Sequence, residues 1–554
     1  MAGRGQGRGA YYRQNREELV SWLHAHDHGA YPAYHDIQGT WNFCGFTLTL
    51  DHIQADPYAA PSKARVKVPH SHAQFPLDLR DTPIRRTALA DYLLRSLYIM
   101  CTERSYGEKM QGGGWSGAKG GQIEVDEPGM QVLERTGVMI DEEGIEVRFA
   151  VGLPARGRSI MGHLAAIVLC DHIPQMVQQS LLYASHNDAS LRHHVHEIED
   201  QAALREELVH HGLVAFVRNG ALLPRASGVE DQPLQDCVPF TSPRSLQVTM
   251  NVPHRGSITG MGLRRGQLCV CIGGGFHGKS TFLAALALGA YNHVPGDGRE
   301  FVCTTEQVAS IRSEEGRSIQ HVDISPFITD LPHSCDTRSF CTSNASGSTS
   351  CAAALMESLE VGAELLLLDE DTVASNFLVR DRTMQALVPN EPITPLVARV
   401  RSLVDTTGVT LVLVCGSSSA FLPCADTVLQ MDCYEMKDVT PQARQVCQSM
   451  SVEPWPALPC DWEAPSPREL QLPLPGGKTA TRHKSVIHIG DGALDLHAVP
   501  QLVHASQTRA IETLLRRWAH AQVRHVGLWA FIDAVTSEWE EQGMHYLQDK
   551  HLDG

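Results

Sequence analysis

The sequence contains no run of about 18 uncharged apolar residues, the length that would predict a transmembrane helix. It also has no CxxC pair among its 15 cysteines and no signal-peptide pattern at its start. The scattered cysteines are typical of small buried apolar side chains in a reducing compartment. We therefore expect no membrane contact and a cytoplasmic location.

A net positive charge is also missing. Lys and Arg number 46 against 63 Asp and Glu, which gives a formal net charge of −17. This excludes a surface that binds nucleic acid throughout, so any such contact must be a local groove. With 43% hydrophobic residues the chain is globular, and its 554 residues should divide into about three domains.

Residues 1–15 differ in composition from the rest of the chain. They carry arginines, glycines and two tyrosines, with no acidic residue. The glycine spacing predicts a disordered tail. Arginine charge and stacking would let such a tail bind RNA, whereas an arginine-rich, acid-free start is also typical of an organelle transit peptide. A mitochondrial location is therefore the alternative to the cytoplasm.

The stretch 268–288 carries the motif around which the rest of the chain is interpreted. The letters LCVCI predict a buried strand, GGGFHGKS a glycine loop, and TFLAALAL a helix. Backbone N–H groups of such a loop surround a phosphate, because glycine has no Cβ to block the approach, and the helix adds its positive end. The lysine would contact the β- and γ-phosphates of ATP, and the serine would ligate Mg²⁺. The predicted nucleotide-binding residues are Gly273, Gly274, Gly275, Phe276, His277, Gly278, Lys279, Ser280 and Thr281, with Lys279 also catalytic and Ser280 also a metal ligand.

Two acids close a second apolar run. LLLLDE at 365–370 predicts a buried parallel strand with Asp369 and Glu370 at its carboxyl end, where ligands of open α/β sheets bind. Asp369 is predicted to hold Mg²⁺ through water, and Glu370 to orient and deprotonate the attacking water. Two solvated acids at a strand end are the structural alternative.

Small residues open a further predicted helix. NASGSTS at 344–350 precedes the helical run Cys351 to Leu359. Free N–H groups at such a start can bind an anion, although a plain N-cap explains the same residues. Ser346, Gly347 and Ser348 are the residues that would bind such an anion, and they are candidates for further nucleotide contacts.

These motifs, in this order, resemble the family of predicted ATPases of the ABC class. The likeness includes GMGLRRGQ, GGGFHGKST, NASGSTS and LLLLDEDTVASNFLVRD in the core, YPAYHDIQGTWNF and GLPARGRSI before it, and DLHAVPQLVHASQTRAI after it. It extends over nearly the whole chain. The resemblance implies an ATPase without a transporter membrane domain and a homodimer in which the serine-glycine turn of one copy caps ATP and Mg²⁺ held by the other. It also implies binding of nucleic acid, with RNA favoured and DNA as the alternative.

The sequence departs from the usual ABC pattern at two places. Gly416 and three serines follow the strand after which these proteins usually place a histidine, and the familiar LSGGQ is here ASGST. The resemblance thus carries Ser346 and Gly347 over directly, while the missing histidine leaves the γ-phosphate contact open and suggests slow turnover.

The fold class that follows is α/β, a P-loop NTPase of ABC type with an α+β N-terminal domain and a mainly helical C-terminal domain. We divide the chain into a tail 1–15, an N-terminal domain 16–240, an ATPase domain 241–440, a linker 441–485 and a C-terminal domain 486–554.

Charged residues outside the core motifs allow more than one interpretation. Lys63, Arg65 and Lys67 fall on one face of a predicted strand, where they either track a phosphate backbone or face solvent. Asp297 and Arg299, in the turn PGDGRE, either form the turn or couple nucleotide to the dimer interface.

Two other functions remain open at this level. One is a P-loop kinase in which Glu370 acts as base toward a small-molecule hydroxyl, although the serine-glycine turn argues against it. The other is an interaction module that binds ATP without significant turnover, which the missing histidine favours.

Overall fold

The structure, a computed structural model, describes most of the chain. It covers residues 15–103, 118–228, 230–331, 335–456, 458, 460, 462, 468–471, 479–490, 492–519 and 525–544. The predicted tail lies outside this part of the chain except for Asn15. No helix within the described residues is both long and apolar enough to cross a membrane.

The helices begin and end where the sequence supplies suitable residues. The first has a capping box, because Asn15 accepts a hydrogen bond from the Glu18 N–H and the Glu18 side chain accepts one from the Asn15 N–H. Numbered in chain order, helices α1 to α14 are Arg16–Ala25, His70–Ala73, Pro83–Glu103, Gly162–Ile167, Ile173–Ser180, Asp188–His210, Lys279–Leu288, Gly347–Glu360, Ser375–Leu378, Arg382–Leu387, Leu396–Thr407, Thr440–Ser449, Ala505–Ala519 and Leu528–Gln542.

The strands are mostly short, and the longest ones carry the apolar or alternating patterns seen in the sequence. Numbered in chain order, strands β1 to β28 are Gly39–Phe43, Phe46–His52, Ser62–Pro69, Ala118–Lys119, Ile123–Glu124, Gln131–Val132, Val138–Ile140, Gly144–Val151, Ala155–Arg156, Ser159–Ile160, Leu213–Arg218, Gln247–Val252, Gly256–Arg264, Leu268–Gly273, Asn292–His293, Val302–Thr304, Val308–Ile311, Ile319–Val322, Phe340–Thr342, Leu365–Asp369, Thr410–Cys415, Thr427–Asp432, Glu435–Asp438, Glu469–Gln471, Thr479–His483, Val486–Ile489, Gly492–Asp495 and His525–Gly527.

The chain divides into two compact units. The first contains residues 1–128, 133–196 and 542–554, and the second contains 129–132 and 197–541. The first unit is built on an antiparallel sheet in the order β1-β2-β3-β8-β5, with β7 also paired to β8. Buried and half-exposed residues alternate along β2 and β3, so one face of this sheet covers a core formed with the helices of the unit. An α+β architecture results.

The second unit is organised by a six-stranded sheet in the order β17-β20-β21-β14-β22-β23. The first five strands are parallel, and only β23 is antiparallel. Alternate residues of β14 enter two different cores, Leu268 and Val270 on one face and Cys269 and Cys271 on the other. Both faces are therefore covered, as the uninterrupted apolar runs predict for parallel strands.

Other elements of the second unit surround this sheet. An antiparallel sheet runs β12-β13-β11-β16, and a three-stranded one runs β25-β26-β27. The helices α13 and α14, each 15 residues long, make up most of the described part of the C-terminal domain. The predicted linker 441–485 contains most of α12 and the strands β24 and β25. The domain boundaries remain predictions.

The cysteine prediction was only partly right. Cys269 and Cys271 are buried in β14, and burial raises the pKa of Cys271 to about 12, so this thiol stays protonated. The prediction was wrong for four exposed cysteines, which lie in turns, in an irregular segment or in a two-stranded sheet: Cys44, Cys335, Cys341 and Cys433.

A buried ionic network holds the turn that follows α7 and β15. The carboxylate of Asp297 lies 2.8 Å from Arg225 Nη1 and 2.8 Å from His293 Nδ1. Burial disfavours the charged form of Asp297, but the hydrogen bonds and positive charge of His293 and Arg225 outweigh it and hold its pKa below the ordinary value. Arg299 Nε donates to the Leu223 carbonyl at 2.8 Å. These contacts support the structural interpretation of the PGDGRE turn.

We predict that Asp297→Ala lowers the free energy of unfolding by about 3–5 kcal/mol, because it removes the nearest carboxylate from the buried His293 and the mostly buried Arg225. Asp231→Ala removes a half-exposed carboxylate 3.8 Å from Arg225 Nε and should cost less than about 1 kcal/mol. Chemical denaturation measures both.

The same network sets a pH dependence. The folded state lowers the pKa of Asp297, so its contribution is present above the unfolded pKa of about 4 and is lost as the pH falls through the folded value. The stability difference between wild type and Asp297→Ala should therefore shrink in acid. A difference that stays constant down to strongly acidic pH contradicts this account.

Candidate functional site

Four neighbouring strands bring the predicted site residues to one edge of the central sheet. The glycine loop follows β14, Asp369 and Glu370 end β20, Gly416 follows β21, and a hairpin turn at 433–434 follows β22. Because parallel strands end at the same edge, residues far apart in the sequence meet there. This is the carboxyl edge that the sequence predicted as the nucleotide site.

The glycine loop has the backbone shape that its residues require. Gly273 has φ +149° and Gly278 φ +98°, while Phe276 takes φ +62° although it has a side chain. A Cβ on Gly273 would lie 2.2 Å from the Met431 carbonyl oxygen, so β22 leaves no room for one. Lys279 Nζ donates to the carbonyls of Gly273 and Gly274 at 2.9 and 2.8 Å, which keeps its ammonium group at the mouth of the loop.

Two oxygen ligands suited to Mg²⁺ meet at the start of α7. Ser280 Oγ donates to Asp369 Oδ2 at 2.7 Å, and Asp369 is 8% exposed. A hydroxyl and a carboxylate at this separation are the hard donors that Mg²⁺ accepts, and the ion uses few protein ligands because it keeps several waters. The predicted pair therefore fits the metal in position and in chemistry, and its role as a ligand set stays a prediction.

Glu370 is held by the turn that replaces the expected histidine. Its carboxylate accepts hydrogen bonds from the Gly416 N–H at 2.6 Å, the Ser417 N–H at 2.9 Å and the Ser417 hydroxyl. Partial burial disfavours the charged form, but these hydrogen bonds outweigh it and hold the pKa of Glu370 below its usual range. The group is thus ionised and fixed in direction. The sequence identifies these serines only as a departure from the usual ABC pattern, because nothing in it indicates that Ser417 faces Glu370.

The serine-glycine turn lies apart from the glycine loop of the same chain. Ser346 is the exposed N-cap of α8 and accepts from the Thr349 N–H at 3.4 Å, whereas Gly347 and Ser348 are buried. Ser348 Oγ donates to Asn376 Oδ1 at 2.6 Å, so its hydroxyl is already engaged. Within the described residues no hydrogen bond joins this turn to the glycine loop.

The sheet order explains the separation. α8 packs against β17, which is three strands from β14. At about 4.8 Å per strand, β17 lies on the order of 14 Å from β14 along the sheet. The structure thus groups the loop, Asp369 and Glu370 at one edge and leaves the third motif outside that group.

The row of cations on β3 is matched by acids within its own unit. Arg65 lies 3.4 Å from both Asp51 and Glu146, and Lys67 Nζ is 2.6 Å from Glu143. A cation with such partners gains less by binding a phosphate, because the existing pair must first be broken. The pairing favours a structural role for Arg65 and Lys67 over a phosphate track.

Three family models match consecutive parts of the chain. Residues 16–184 match the N-terminal domain of ATPases of the ABC class, residues 187–455 match the P-loop domain of the ABC_ATPase family, and residues 478–553 match the C-terminal domain of MRB1590. The P-loop domain model covers the loop, both acids and the serine-glycine turn.

Individual relatives are more distant. The chain is 29% identical over 191 residues to the uncharacterised protein MJ1628 of Methanocaldococcus jannaschii, a match that spans 33% of this chain and 42% of that relative. A solved structure described as a metal-chelate type ABC transporter in an inward-facing conformation aligns with 51% of this chain and 98% of its own, at 14% identity and a TM-score of 0.27. A likeness at that level carries no argument.

We predict that Gly273→Ala destabilises the protein by about 1–3 kcal/mol, because the added Cβ collides with the Met431 carbonyl in a backbone conformation that alanine rarely adopts. Gly275→Ala is the matched control, since a Cβ there meets nothing within 4 Å. Thermal and chemical unfolding without nucleotide measure both variants. Equal stability of the two would show that β22 does not constrain the loop as described.

Proposed function

Since the chain belongs to the ATPases of the ABC class, we propose that it binds and hydrolyses ATP as a homodimeric clamp that acts on nucleic acid. The observation that carries this proposal is the arrangement at the sheet edge, where Ser280 and Asp369 are hydrogen-bonded and Glu370 is oriented beside them. A glycine loop alone would support binding, whereas a directed, ionised carboxylate also supports hydrolysis.

Each residue of the edge has a proposed task. The backbone of 273–281 surrounds the phosphates, Lys279 neutralises the β- and γ-phosphates, and Ser280 and Asp369 hold Mg²⁺. Bound Mg²⁺ supplies charge neutralisation of the phosphates and aligns them for attack. Glu370 positions the attacking water and accepts its proton, with Ser417 and Gly416 fixing its direction.

The position of the serine-glycine turn supports two copies acting together. Ser346 is exposed at the N-terminus of a 14-residue helix, a place where free N–H groups attract an anion. The glycine loop of the same copy follows β14, which is three strands from β17, the strand against which α8 packs. We therefore propose that Ser346 and Gly347 contact the nucleotide held by a second copy. ATP would then join the two copies, and hydrolysis would release them.

The proposed nucleic-acid partner is RNA rather than DNA, and the support comes from the C-terminal part. Residues 478–553 match the C-terminal domain of MRB1590, which hints at association with RNA. This part is hydrogen-bonded to the helix that follows the loop, because Gln501 Nε2 donates to the Ala287 carbonyl at 3.2 Å. Just beyond the helix, Tyr291 Oη donates to the Gln501 carbonyl at 2.7 Å. A displacement of α7 on ATP binding or hydrolysis could thus reach the proposed RNA-binding part through these hydrogen bonds.

We predict that Glu370→Gln binds ATP, loses turnover and accumulates as an ATP-dependent dimer, because the nucleotide stays between the copies without being cleaved. Lys279→Ala is the control and should remain monomeric at the same ATP concentration. Light scattering at saturating ATP and Mg²⁺ measures the mass.

A Glu370→Gln protein that stays monomeric under these conditions rules the clamp out. Phosphate release by the wild type no faster than by Lys279→Ala would instead support ATP binding without turnover. Transfer of labelled phosphate to an acceptor other than water would support the kinase alternative.

The RNA part of the proposal has its own test. Crosslinking the protein to nucleic acid in cells, followed by sequencing, should recover RNA with crosslinks concentrated in residues 478–553. Recovery of DNA alone, or of no nucleic acid above an untagged control, contradicts it while leaving the ATPase proposal intact.

A further inference from the structure

Three donor side chains, one within the glycine loop and two at the end of β22 and in the turn after it, have no assigned role in the proposed ATPase chemistry, in which the loop acts through its backbone. His277, Asp432 and Cys433 offer a ring nitrogen, a carboxylate oxygen and a thiol sulfur that all lie within 4.8 Å of one another. His277 Nδ1 is 3.8 Å from Asp432 Oδ1, and it accepts a hydrogen bond from the Cys433 N–H at 3.2 Å. The three residues are half-buried or exposed, so an ion can reach them.

The backbone that brings them together is strained. β22 and β23 are joined by a two-residue turn in which Cys433 has φ +48° and Tyr434 has φ +71°. Such turns normally use Asn and Gly, because a side chain at positive φ costs of order 1–3 kcal/mol per residue. The turn nevertheless places a cysteine next to the histidine of the loop. The turn itself does not require a cysteine, so the strain indicates that the Cys433 side chain has a role of its own.

We propose that His277, Asp432 and Cys433 form a transition-metal site of the zinc class that joins the glycine loop to the β22–β23 hairpin. An imidazole and a thiolate are the ligands that Zn²⁺ prefers, at about 2.0–2.1 and 2.3 Å, and a carboxylate oxygen completes three protein ligands with one position left open. The nitrogen–oxygen separation of 3.8 Å is close to an edge of such a tetrahedron. Metal binding through His277 Nδ1 requires the ring to rotate and release the Cys433 N–H, because the same lone pair now accepts that hydrogen bond.

This site differs from the Mg²⁺ position in chemistry. Ser280 and Asp369 present only hard oxygen donors, whereas Cys433 supplies a soft one that Mg²⁺ does not accept. Binding releases the thiol proton, because the thiolate is the ligand. The charges also balance, since a thiolate and a carboxylate neutralise a divalent ion.

One cation already competes for the site. Lys437 Nζ lies 2.8 Å from Asp432 Oδ2. A metal ion that binds Asp432 must displace this ammonium group or use the other carboxylate oxygen. Removing Lys437 takes away this competitor, so metal binding should stay unchanged or become tighter. An Asp432 that served only in a surface ion pair would bind no metal.

The test uses the full chain, stripped with a chelator and kept reduced, without nucleotide. Co²⁺ is the probe, because a cobalt–thiolate bond gives a charge-transfer band that reports cysteine ligation directly, and Zn²⁺ is then added to displace it. We expect one Co²⁺ per chain with this band. Cys433→Ser should lose the band, and Cys433→Ser and His277→Ala should each weaken binding on the order of tenfold or more.

Cys341→Ser is the matched control. Cys341 is also exposed and also lies near a histidine, since its sulfur accepts from the His321 N–H at 3.3 Å. This variant and Lys437→Ala should keep the band, and circular dichroism checks that every variant is folded. Absence of the band in the wild type, or its persistence in folded Cys433→Ser, overturns the proposal. Neither result bears on ATP binding, which is measured separately.

Discussion

Parallel pairing of β14 with β21 and β22, and of β21 with β20, is the constraint on which the rest of the site depends. It aligns the carboxyl ends of four strands, so that residues more than a hundred positions apart share one edge of the sheet. The hydrogen bond between Ser280 and Asp369 is a direct result, because it joins the residues after β14 to the end of β20. The same pairing sets the shape of the loop, since the Met431 carbonyl on β22 excludes any side chain from Gly273.

Much of this edge could be predicted from the sequence, because parallel strands buried on both faces leave uninterrupted apolar runs. LCVCI, LLLLD and TLVLVC are such runs, and each is a strand of the central sheet. The helix after the loop and the helix after the serine-glycine turn were also predicted, since apolar residues at helical spacing follow both motifs.

What the sequence could not supply depends on contacts across the fold. In the sequence, the serines after β21 only depart from the usual ABC pattern. In the structure, the Ser417 N–H donates a hydrogen bond to the Glu370 carboxylate. Ser348 reads as a ligand residue, yet its hydroxyl is bonded to Asn376. The acidic partners of Arg65 and Lys67 come from β2, from β8 and from the turn before β8, so strand pairing in the folded chain is needed to bring them together. Exposed cysteines were missed because burial was inferred from residue type rather than from position.

Both helices that begin at nucleotide motifs also contact the C-terminal part of the second unit. At the far end of α7, Gln501 donates to the Ala287 carbonyl. At the far end of α8, Arg468 donates to the Glu360 carboxylate at 3.0 Å through its Nε. A helix transmits a small displacement along its axis because its backbone is continuously hydrogen-bonded. Gln501 lies within the part that matches the MRB1590 domain, so it connects α7 to that part directly. Arg468 lies before the matched part and connects α8 to it indirectly, because the Arg468 carbonyl accepts a hydrogen bond from the Leu528 N–H at 2.9 Å.

The central claim is that each nucleotide site is completed by a second copy, and complementation tests it most directly. Lys279→Ala disables the loop of its own copy, and Ser346→Arg disables the turn offered to the other copy. The two variants are purified separately and then mixed at saturating ATP and Mg²⁺, and ATP turnover is measured before and after mixing. We predict that each variant alone is inactive and that the mixed dimer regains turnover, because one site then combines an intact loop with an intact turn. A mixed dimer that stays inactive, or a Ser346→Arg protein that is active alone, would contradict the claim.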